Sequence, residues 1–304
     1  MARKGEGTAV DITRAVLGRL GLPRPGESDD KEARGRVLIV GGSREMPGAV
    51  ILAGEAALRA GAGKLRIATV RSVAAEVATR IPEARVYHLP EARGGDIAPS
   101  AAEELAGLVE DVDAFCVGPG VIGEGAATRL MKRLLPRLPD KPFVLDANAL
   151  AFLSDEEDAK GIRGRRAVLT PQAEEMATML GEDKSVVAED PERTARGAAK
   201  KFGVTVALKG RETFIASPGG RCYSNRAGNV GLATSGSGDV LAGLVTGLLA
   251  RGADPPAAAA WGVHAHALAG DRLASKLARV GYLARELAGE IPAVLADLLG
   301  EGRR

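Results

Sequence analysis

The alternation of short, unbroken apolar runs with amphipathic segments is the feature that most limits the folds open to this chain. Runs such as 37–40 and 114–117 contain only apolar residues, which is typical of strands buried on both faces. The segments between such runs carry apolar residues at helical spacing. In a chain of 304 residues, this alternation predicts an α/β fold with a single doubly wound, mostly parallel sheet flanked by helices.

The predicted elements follow from these patterns and from the glycines and prolines between them. We predict strands at 36–40, 64–70, 85–89, 114–117, 142–145, 167–169 and 204–208, and a hairpin of 213–216 with 221–224 at the edge of the sheet. We predict helices at 8–20, 48–60, 72–80, 101–109, 126–134, 194–202, 256–277 and 283–299, and one through Glu175 and Leu180. The last two helices are expected to cover one face of the sheet. We expect an N-terminal helix and connector at 1–34 and one domain at 35–304.

Composition excludes several classes of partner. The formal net charge is only +2, so the chain lacks the basic surface that nucleic-acid binding requires. No apolar run approaches the ~20 residues needed to cross a bilayer, and the polar start of the chain shows no signal peptide. The two cysteines lack metal-ligand spacing. We therefore expect a cytoplasmic protein that binds neither nucleic acid nor membrane.

The segment 225–239, NRAGNVGLATSGSGD, runs directly into an apolar helix. Its glycines allow backbone N–H groups to turn toward a ligand, and the start of the helix adds the positive end of its dipole. This arrangement predicts an anion site that suits a phosphate. Asp239 stands beside it, where it could act as a general base. The alternative is that Asp239 is only a favourable residue for a helix start.

Four predicted strands end in glycine or polar residues. Because the carboxyl ends of parallel strands share one edge of a sheet, these residues and the 225–239 loop are expected to converge on one cleft. The alternative is that each of these positions is an ordinary loop residue with no part in a shared site. The four strand ends are Gly41-Gly42-Ser43, Gly118-Pro119-Gly120, Asp146 with Asn148, and Lys209-Gly210.

Several familiar sites are excluded. The glycines at 41–42 lack the G-x-G-x-x-G spacing, and no glycine-rich loop contains Gly-Lys-Ser/Thr. Ser43 lacks the G-x-S-x-G elbow of a serine hydrolase. His264 and His266 are two residues apart on a predicted helix and face different directions, so we expect packing or surface roles for them and no shared metal.

Eight segments in order resemble the ADP-dependent NAD(P)H-hydrate dehydratases, a family with a ribokinase-like fold. The similarity extends from about residue 35 to residue 296 and includes the run from His266 to Asp271. The segments are Gly41-Gly42-Ser43, Pro47-Gly48-Ala49, 56–63, Gly118-Pro119-Gly120, 145–150, Leu169-Thr170-Pro171, Leu208-Lys209-Gly210 and 228–243.

The resemblance implies repair of hydrated NADH or NADPH, with ADP converted to AMP and phosphate, or with ATP as the alternative nucleotide. Asp239 would take the proton of the C6 hydroxyl, and Mg²⁺ would accompany the nucleotide. The preferred nucleotide, the preferred dinucleotide and the group that removes the C5 proton all stay open. The resemblance also implies a homo-oligomer, a tetramer in relatives, and cooperation with a separate NAD(P)H-hydrate epimerase.

The resemblance and the strand ends together assign the site residues. For the hydrated dinucleotide they are Ala49, Gly118, Gly120, Asp146, Asn148 and Gln172, and for the adenine nucleotide Lys209, Gly210, Arg211, Glu212, Thr213, Asn229, Thr234, Ser235, Gly236, Ser237 and Gly238. Two positions depart from the family pattern. Gln172 stands where most members have histidine, and Met46 lies where an aromatic residue usually precedes Pro-Gly-Ala.

Two other functions remain open from these residues. The first is a ribokinase-fold kinase of small alcohols, in which Asp239 has the same role but the product keeps its phosphate. The second is a nucleotide-binding regulator without turnover, which the changes at Gln172 and Met46 would allow.

Overall fold

The computed structural model describes residues 8–24, 26 and 30–301, and in them ten strands form one sheet. The strands are β1 (Val10–Asp11), β2 (Arg36–Val40), β3 (Lys64–Val70), β4 (Ala84–Leu89), β5 (Ala114–Val117), β6 (Phe143–Leu145), β7 (Ala167–Leu169), β8 (Thr205–Leu208), β9 (Thr213–Ala216) and β10 (Cys222–Asn225). Their order across the sheet is β1-β10-β9-β8-β7-β6-β5-β2-β3-β4. The strands from β2 to β8 are parallel, and β9 is antiparallel to both of its neighbours. The predicted α/β fold is confirmed.

The described residues also form twelve α-helices around this sheet. They are α1 (Arg14–Leu20), α2 (Gly48–Arg59), α3 (Ala74–Arg80), α4 (Ala102–Glu110), α5 (Glu124–Leu134), α6 (Glu156–Lys160), α7 (Ala173–Leu180), α8 (Lys184–Glu189), α9 (Pro191–Phe202), α10 (Ser237–Ala250), α11 (Pro255–Lys276) and α12 (Ala284–Leu299). Every residue of β5 to β8 is buried, so helices cover both faces of the sheet there. Helix α11 packs on β7 to β10, and α12 packs on α2, α10 and α11.

The start of the predicted helix at 8–20 is wrong. Val10 and Asp11 pair in parallel with β10, and the amide of Ile12 donates to the carbonyl of Ser224 at 2.8 Å. The helix begins only at Arg14, because the Thr13 hydroxyl accepts the Val16 amide and caps it. The β9–β10 hairpin is confirmed, but β1 lies outside it, so the hairpin is not the edge of the sheet. The domain boundary at residue 34 stays a prediction.

Helix α10, which follows the glycine-rich loop, packs unusually close to α2. A Cβ at Gly243 would lie 1.9 Å from the carbonyl oxygen of Ala53, and one at Gly247 would lie 2.6 Å from that of Ala57. The two glycines and the two alanines are each four residues apart, so they face each other along one stripe of each helix. This contact fixes the position of the first turn of α10 relative to the carboxyl edge of the sheet.

Gly243→Ala is expected to destabilise the protein by about 1–3 kcal/mol or more, because the added methyl group overlaps a backbone oxygen. The measurement is the urea unfolding midpoint at constant m-value. Gly289→Ala on α12 is the matched control, since no atom lies within 4 Å of a Cβ placed there. Equal stability of the two variants would contradict this description of the α10–α2 contact.

Candidate active site

The carboxyl ends of five neighbouring parallel strands define one edge of the sheet. The residues that follow β2, β5, β6, β7 and β8 are Gly41, Gly118, Asp146, Thr170 and Lys209. The predicted convergence of the strand ends is therefore confirmed by the topology. Ligands enter open parallel sheets at this edge.

The first turn of α10 meets the same edge. Gly236 precedes the helix with a φ of 89°, a left-handed conformation that favours glycine. Ser237, Gly238 and Asp239 form the first helical positions. Among the described residues, the amides of Gly238 and Asp239 have no hydrogen-bond partner. The turn thus offers unpaired donors and the positive end of a 14-residue helix, which together suit an anion.

A cluster of charged residues lies against this turn. The Nζ atom of Lys209 is 2.9 Å from Oδ1 of Asp146 and 3.9 Å from Oε2 of Glu175. The hydroxyl of Thr170 donates to the same Asp146 oxygen at 2.7 Å. A Cβ placed on Gly238 would be 3.5 Å from Lys209 Nζ and 3.8 Å from Asp146 Oδ2. The strand ends and the helix start therefore form one site.

The cluster changes the acidity of its members. Burial raises the pKa of Asp239 to about 7, and the Asp146 carboxylate adds to this shift while Lys209 opposes it. Burial also raises the pKa of Glu175. Burial alone would lower the pKa of Lys209, but Asp146 and Glu175 outweigh it and raise that pKa. The site thus pairs a carboxyl that titrates near neutrality with a lysine that stays charged.

The backbone around Asp146 is under local constraint. Ala147 has a φ of 51°, the one positive φ of a non-glycine residue among the described residues. A Cβ on Gly118 would lie 1.9 Å from the Asp146 carbonyl oxygen, so only glycine allows β5 and β6 to approach here. Strained backbone of this kind costs on the order of 1–3 kcal/mol and occurs often at functional sites.

The residues expected to hold the dinucleotide lie on either side of this cluster. Gly120 and Ala49 are neighbours, since a Cβ on Gly120 would lie 2.8 Å from the Ala49 Cβ and 2.5 Å from the Met46 carbonyl oxygen. Gln172 is exposed, and its amide donates to Glu175 Oε2 at 2.6 Å. The Asn148 side chain donates to the carbonyls of Val121 and Ile122. Asn148 therefore holds the loop after Gly120 in place.

Four of the residues expected to hold the adenine nucleotide line a cavity of about 650 Å³. They are Lys209, Gly210, Arg211 and Glu212. Thr213 begins β9 just beyond. Apolar residues and one further arginine complete the lining: Ala173, Val187, Ala188, Pro191, Leu208, Phe214 and Arg226. A pocket that combines apolar side chains with the cations of Lys209 and Arg211 suits a base and its phosphates.

The glycine-rich loop is held by α11. Asp271 on this helix accepts hydrogen bonds from the Gly228 amide at 2.9 Å and from the Asn229 side chain at 3.0 Å. The Asn229 oxygen in turn accepts from the Gly231 amide and the Tyr282 hydroxyl. The predicted nucleotide ligand Asn229 therefore shapes the loop in the free protein, whereas Thr234 is half-buried and Ser235 is exposed farther along.

Four residues of the site were not among the predicted ligands. Thr170 and Glu175 contact the Asp146–Lys209 pair, and Asp271 holds the loop. His266 was expected to be a packing or surface residue, but its Nε2 lies 3.1 Å from the Ser237 hydroxyl. The available signals were the Thr-Pro-Gln-x-x-Glu run at 170–175 and the run from His266 to Asp271.

The donor chemistry fits a magnesium ion that arrives with a nucleotide. No group of three or more His, Cys, Asp or Glu side chains is arranged to hold a metal in the part of the chain that the structure describes. Asp146 and Asp239 nevertheless offer hard carboxylate oxygens at the sheet edge. Mg²⁺ usually takes one or two carboxylates together with phosphates and waters.

Of the helices in residues 8–24, 26 and 30–301, none is long and apolar enough to span a membrane.

Comparison with known proteins identifies relatives of this arrangement. The family described as NAD(P)H-hydrate dehydratase matches residues 37–293. An ADP-dependent (S)-NAD(P)H-hydrate dehydratase from Xanthomonas campestris is 46% identical over 287 residues, which cover 94% of this chain and 96% of that protein. A bifunctional NAD(P)H-hydrate repair enzyme from Moorella thermoacetica is 40% identical over 288 residues, and the chain spans 54% of its length.

Solved structures agree with these relatives. The ADP/ATP-dependent NAD(P)H-hydrate dehydratase from Bacillus subtilis, co-crystallised with ATP and Mg²⁺, has a TM-score of 0.80 and 29% identity, covering 95% of this chain and 99% of that one. Ribokinase from Thermotoga maritima shares the fold at a TM-score of 0.56 and 16% identity, covering 85% of this chain and 98% of that one. The predicted resemblance and the ribokinase-like fold are both confirmed. The chain belongs to the NAD(P)H-hydrate dehydratase family.

Proposed function

We propose that this chain dehydrates (6S)-hydrated NADH and NADPH in a reaction driven by ADP, which yields the reduced dinucleotide, AMP and phosphate. The observation that carries the proposal is the position of Asp239. Its carboxyl, with a pKa near 7, lies in a helix turn with unpaired amides and beside Lys209. Family membership identifies the alcohol that such a base would activate.

The reaction begins with a proton transfer. Asp239 takes the proton of the C6 hydroxyl, and the oxygen attacks the β-phosphoryl group of ADP, so that AMP leaves. The amides of Gly238 and Asp239 and the Lys209 ammonium stabilise the charge on the transferred phosphoryl group. The ring nitrogen then expels the phosphate from C6, and loss of a C5 proton restores the dihydronicotinamide. Phosphorylation converts a poor leaving group into a good one.

The assigned ligands divide between the two ends of the site. Ala49, Gly118, Gly120 and Gln172 would contact the hydrated dinucleotide, and residues 209–213 with Gly238 would bind the adenine nucleotide in the 650 Å³ cavity. Asp146 would hold Mg²⁺ together with the diphosphate. When bound, Mg²⁺ would neutralise part of the phosphate charge. ATP is the alternative nucleotide, since the Bacillus subtilis relative was co-crystallised with ATP and Mg²⁺.

Three further expectations concern the cellular compartment, the oligomeric state and the partner enzyme. Cys116 and Cys222 are both free and buried, which agrees with a reducing cytoplasm. We expect a homotetramer. We also expect cooperation with a separate NAD(P)H-hydrate epimerase, as the family resemblance implies.

The pH dependence of kcat/KM should follow the titration of the Asp239 carboxyl. Because a general base acts in its deprotonated form, kcat/KM for ADP is expected to fall about tenfold per pH unit below pH 7 and to level off above it. Since burial causes the shift, the profile should persist at high salt. The measurement is kcat/KM between pH 5 and 9, and an acid limb centred near pH 4 would contradict the assignment.

The function is tested by supplying hydrated NADH or NADPH with ADP or with ATP and following the absorbance of reduced nicotinamide. We expect recovery of absorbance that requires a nucleotide, with one AMP and one phosphate formed per dinucleotide when ADP is used. Accumulation of a stable phosphoester would show a kinase instead. Nucleotide binding without recovery of the dinucleotide would favour a regulator.

A further inference from the structure

Helix α11 carries a histidine whose ring points at the start of α10. His266 is only 8% exposed, and its Nε2 is 3.1 Å from the hydroxyl of Ser237. Ser237 is the first residue of α10 and is itself 5% exposed. Two buried polar groups that face each other in this way make a hydrogen bond that is costly to leave unmade.

The imidazole stays neutral at physiological pH. Burial lowers the pKa of His266 to about 4; a backbone hydrogen bond with Ser237 opposes this shift, and the charge of Lys209 adds to it. A neutral ring has one donor and one acceptor nitrogen, so it can hold a serine hydroxyl without placing another cation beside Lys209. His266 therefore adds no charge to the turn and acts there as a hydrogen-bond partner.

The contact between His266 and Ser237 lies at the first turn of α10, which the proposed reaction uses. Ser237 is adjacent to Gly238, which lies against Lys209 and Asp146, and two residues before Asp239. On the other side of the turn, Gly236 packs on α2, where a Cβ would lie 2.5 Å from the Leu52 side chain. The turn is thus located between α2 and α11, and His266 supplies the polar contact on the α11 side.

We propose that His266 is a positioning residue, which through Ser237 holds the Gly238 amide and the Asp239 carboxyl in register with Lys209. This inference rests on the proposed use of that turn for the nucleotide diphosphate. Asp271 has a separate task on the same helix, because it holds the loop at Gly228 and Asn229 rather than the helix start.

A double-mutant cycle on ADP affinity tests the proposal. His266→Leu and Ser237→Ala are each expected to weaken ADP binding about tenfold, which is the scale of one hydrogen bond. In the Ser237→Ala background, His266→Leu should change ADP affinity by less than about twofold, because its partner is already gone. His266→Gln, whose amide can reach the position of Nε2, should recover most of the affinity.

Two control variants separate positioning from stability. Thr246→Val removes another buried hydrogen bond of α10, from the hydroxyl to the Ala242 carbonyl at 2.7 Å, about two helical turns beyond Asp239. It is expected to lower thermal stability as His266→Leu does but to leave ADP affinity unchanged. His88→Gln repeats the conservative histidine change at an exposed position on β4 and should alter neither quantity.

The outcomes are distinct. Independent, multiplicative effects of His266→Leu and Ser237→Ala would overturn the proposal, as would an equal loss of ADP affinity in Thr246→Val or a failure of His266→Gln to recover binding. Affinity for hydrated NADH should stay within about twofold in every variant. If wild-type protein binds ADP but does not repair the hydrate, the proposed function fails while the cycle still decides the role of His266.

Discussion

Asp239→Asn is expected to lower kcat by about 10²- to 10⁴-fold, the usual contribution of a general base, while ADP binding is retained. The amide has nearly the same shape as the carboxyl but cannot take the proton of the C6 hydroxyl. The unpaired amides of Gly238 and residue 239 are unaffected by the change. Rates under saturating substrates and ADP titrations by calorimetry measure the two effects. Turnover at the wild-type rate would remove Asp239 from the mechanism.

The same substitution is expected to stabilise the fold at alkaline pH, which excludes misfolding as the reason for lost activity. Folding raises the pKa of Asp239 from its ordinary value near 4 to about 7. Between these values the folded protein binds the proton more tightly than the unfolded chain, so wild-type stability falls as the pH rises. Asparagine carries no charge at any pH. The gain in melting temperature over wild type should therefore be larger at pH 8 than at pH 5.

Lys209→Met is expected to cost about 3–5 kcal/mol of stability, because it leaves a buried carboxylate without its cation. The Lys209 and Asp146 side chains are 15% and 4% exposed. ADP affinity should fall as well, since the cavity lining loses one of its positive charges. Urea unfolding and ADP titration measure the two losses. Lys209→Arg keeps the charge and allows binding to be measured in a folded protein if the methionine variant is too unstable.

Lys276→Met is the matched control. Its Nζ contacts Glu290 at 2.7 Å, so the geometry of the pair is comparable, but its side chain is 59% exposed. Exposed ion pairs contribute less than about 1 kcal/mol. Equal destabilisation by the two substitutions would contradict the view that burial makes the Lys209–Asp146 pair important.

The central strands were predictable because the residues of each strand by themselves indicate that it is buried. β2, β3, β5 and β7 have the predicted bounds, since each is rich in buried apolar residues and is followed by glycine or a polar residue. β1 was missed because two residues, Val10 and Asp11, join the sheet through a partner more than 200 positions away. The short α6 and α8 were missed as well, because helices of five and six residues are too short to show an apolar stripe.

The part of the site formed by backbone amides was predictable from the sequence. The side chains that act through other side chains were harder to predict. Gly238 and Asp239 follow from a glycine-rich loop that enters a helix. The pairing of Lys209 with Asp146, 63 residues apart, depends on which strands are neighbours in the sheet. The one signal for His266 was the family-like run from His266 to Asp271, because a lone histidine on an apolar helix is usually a packing residue. Only the fold brings it to Ser237.

The most direct test of the mechanism follows the oxygen of the substrate. Hydrated NADH that carries ¹⁸O in its C6 hydroxyl is supplied with ADP, and the released phosphate is analysed by mass spectrometry. If Asp239 directs that oxygen onto phosphorus, one ¹⁸O atom appears in each phosphate, because the later elimination breaks the bond between carbon and oxygen. Unlabelled phosphate, with the ¹⁸O released into water, would contradict phosphoryl transfer to the substrate.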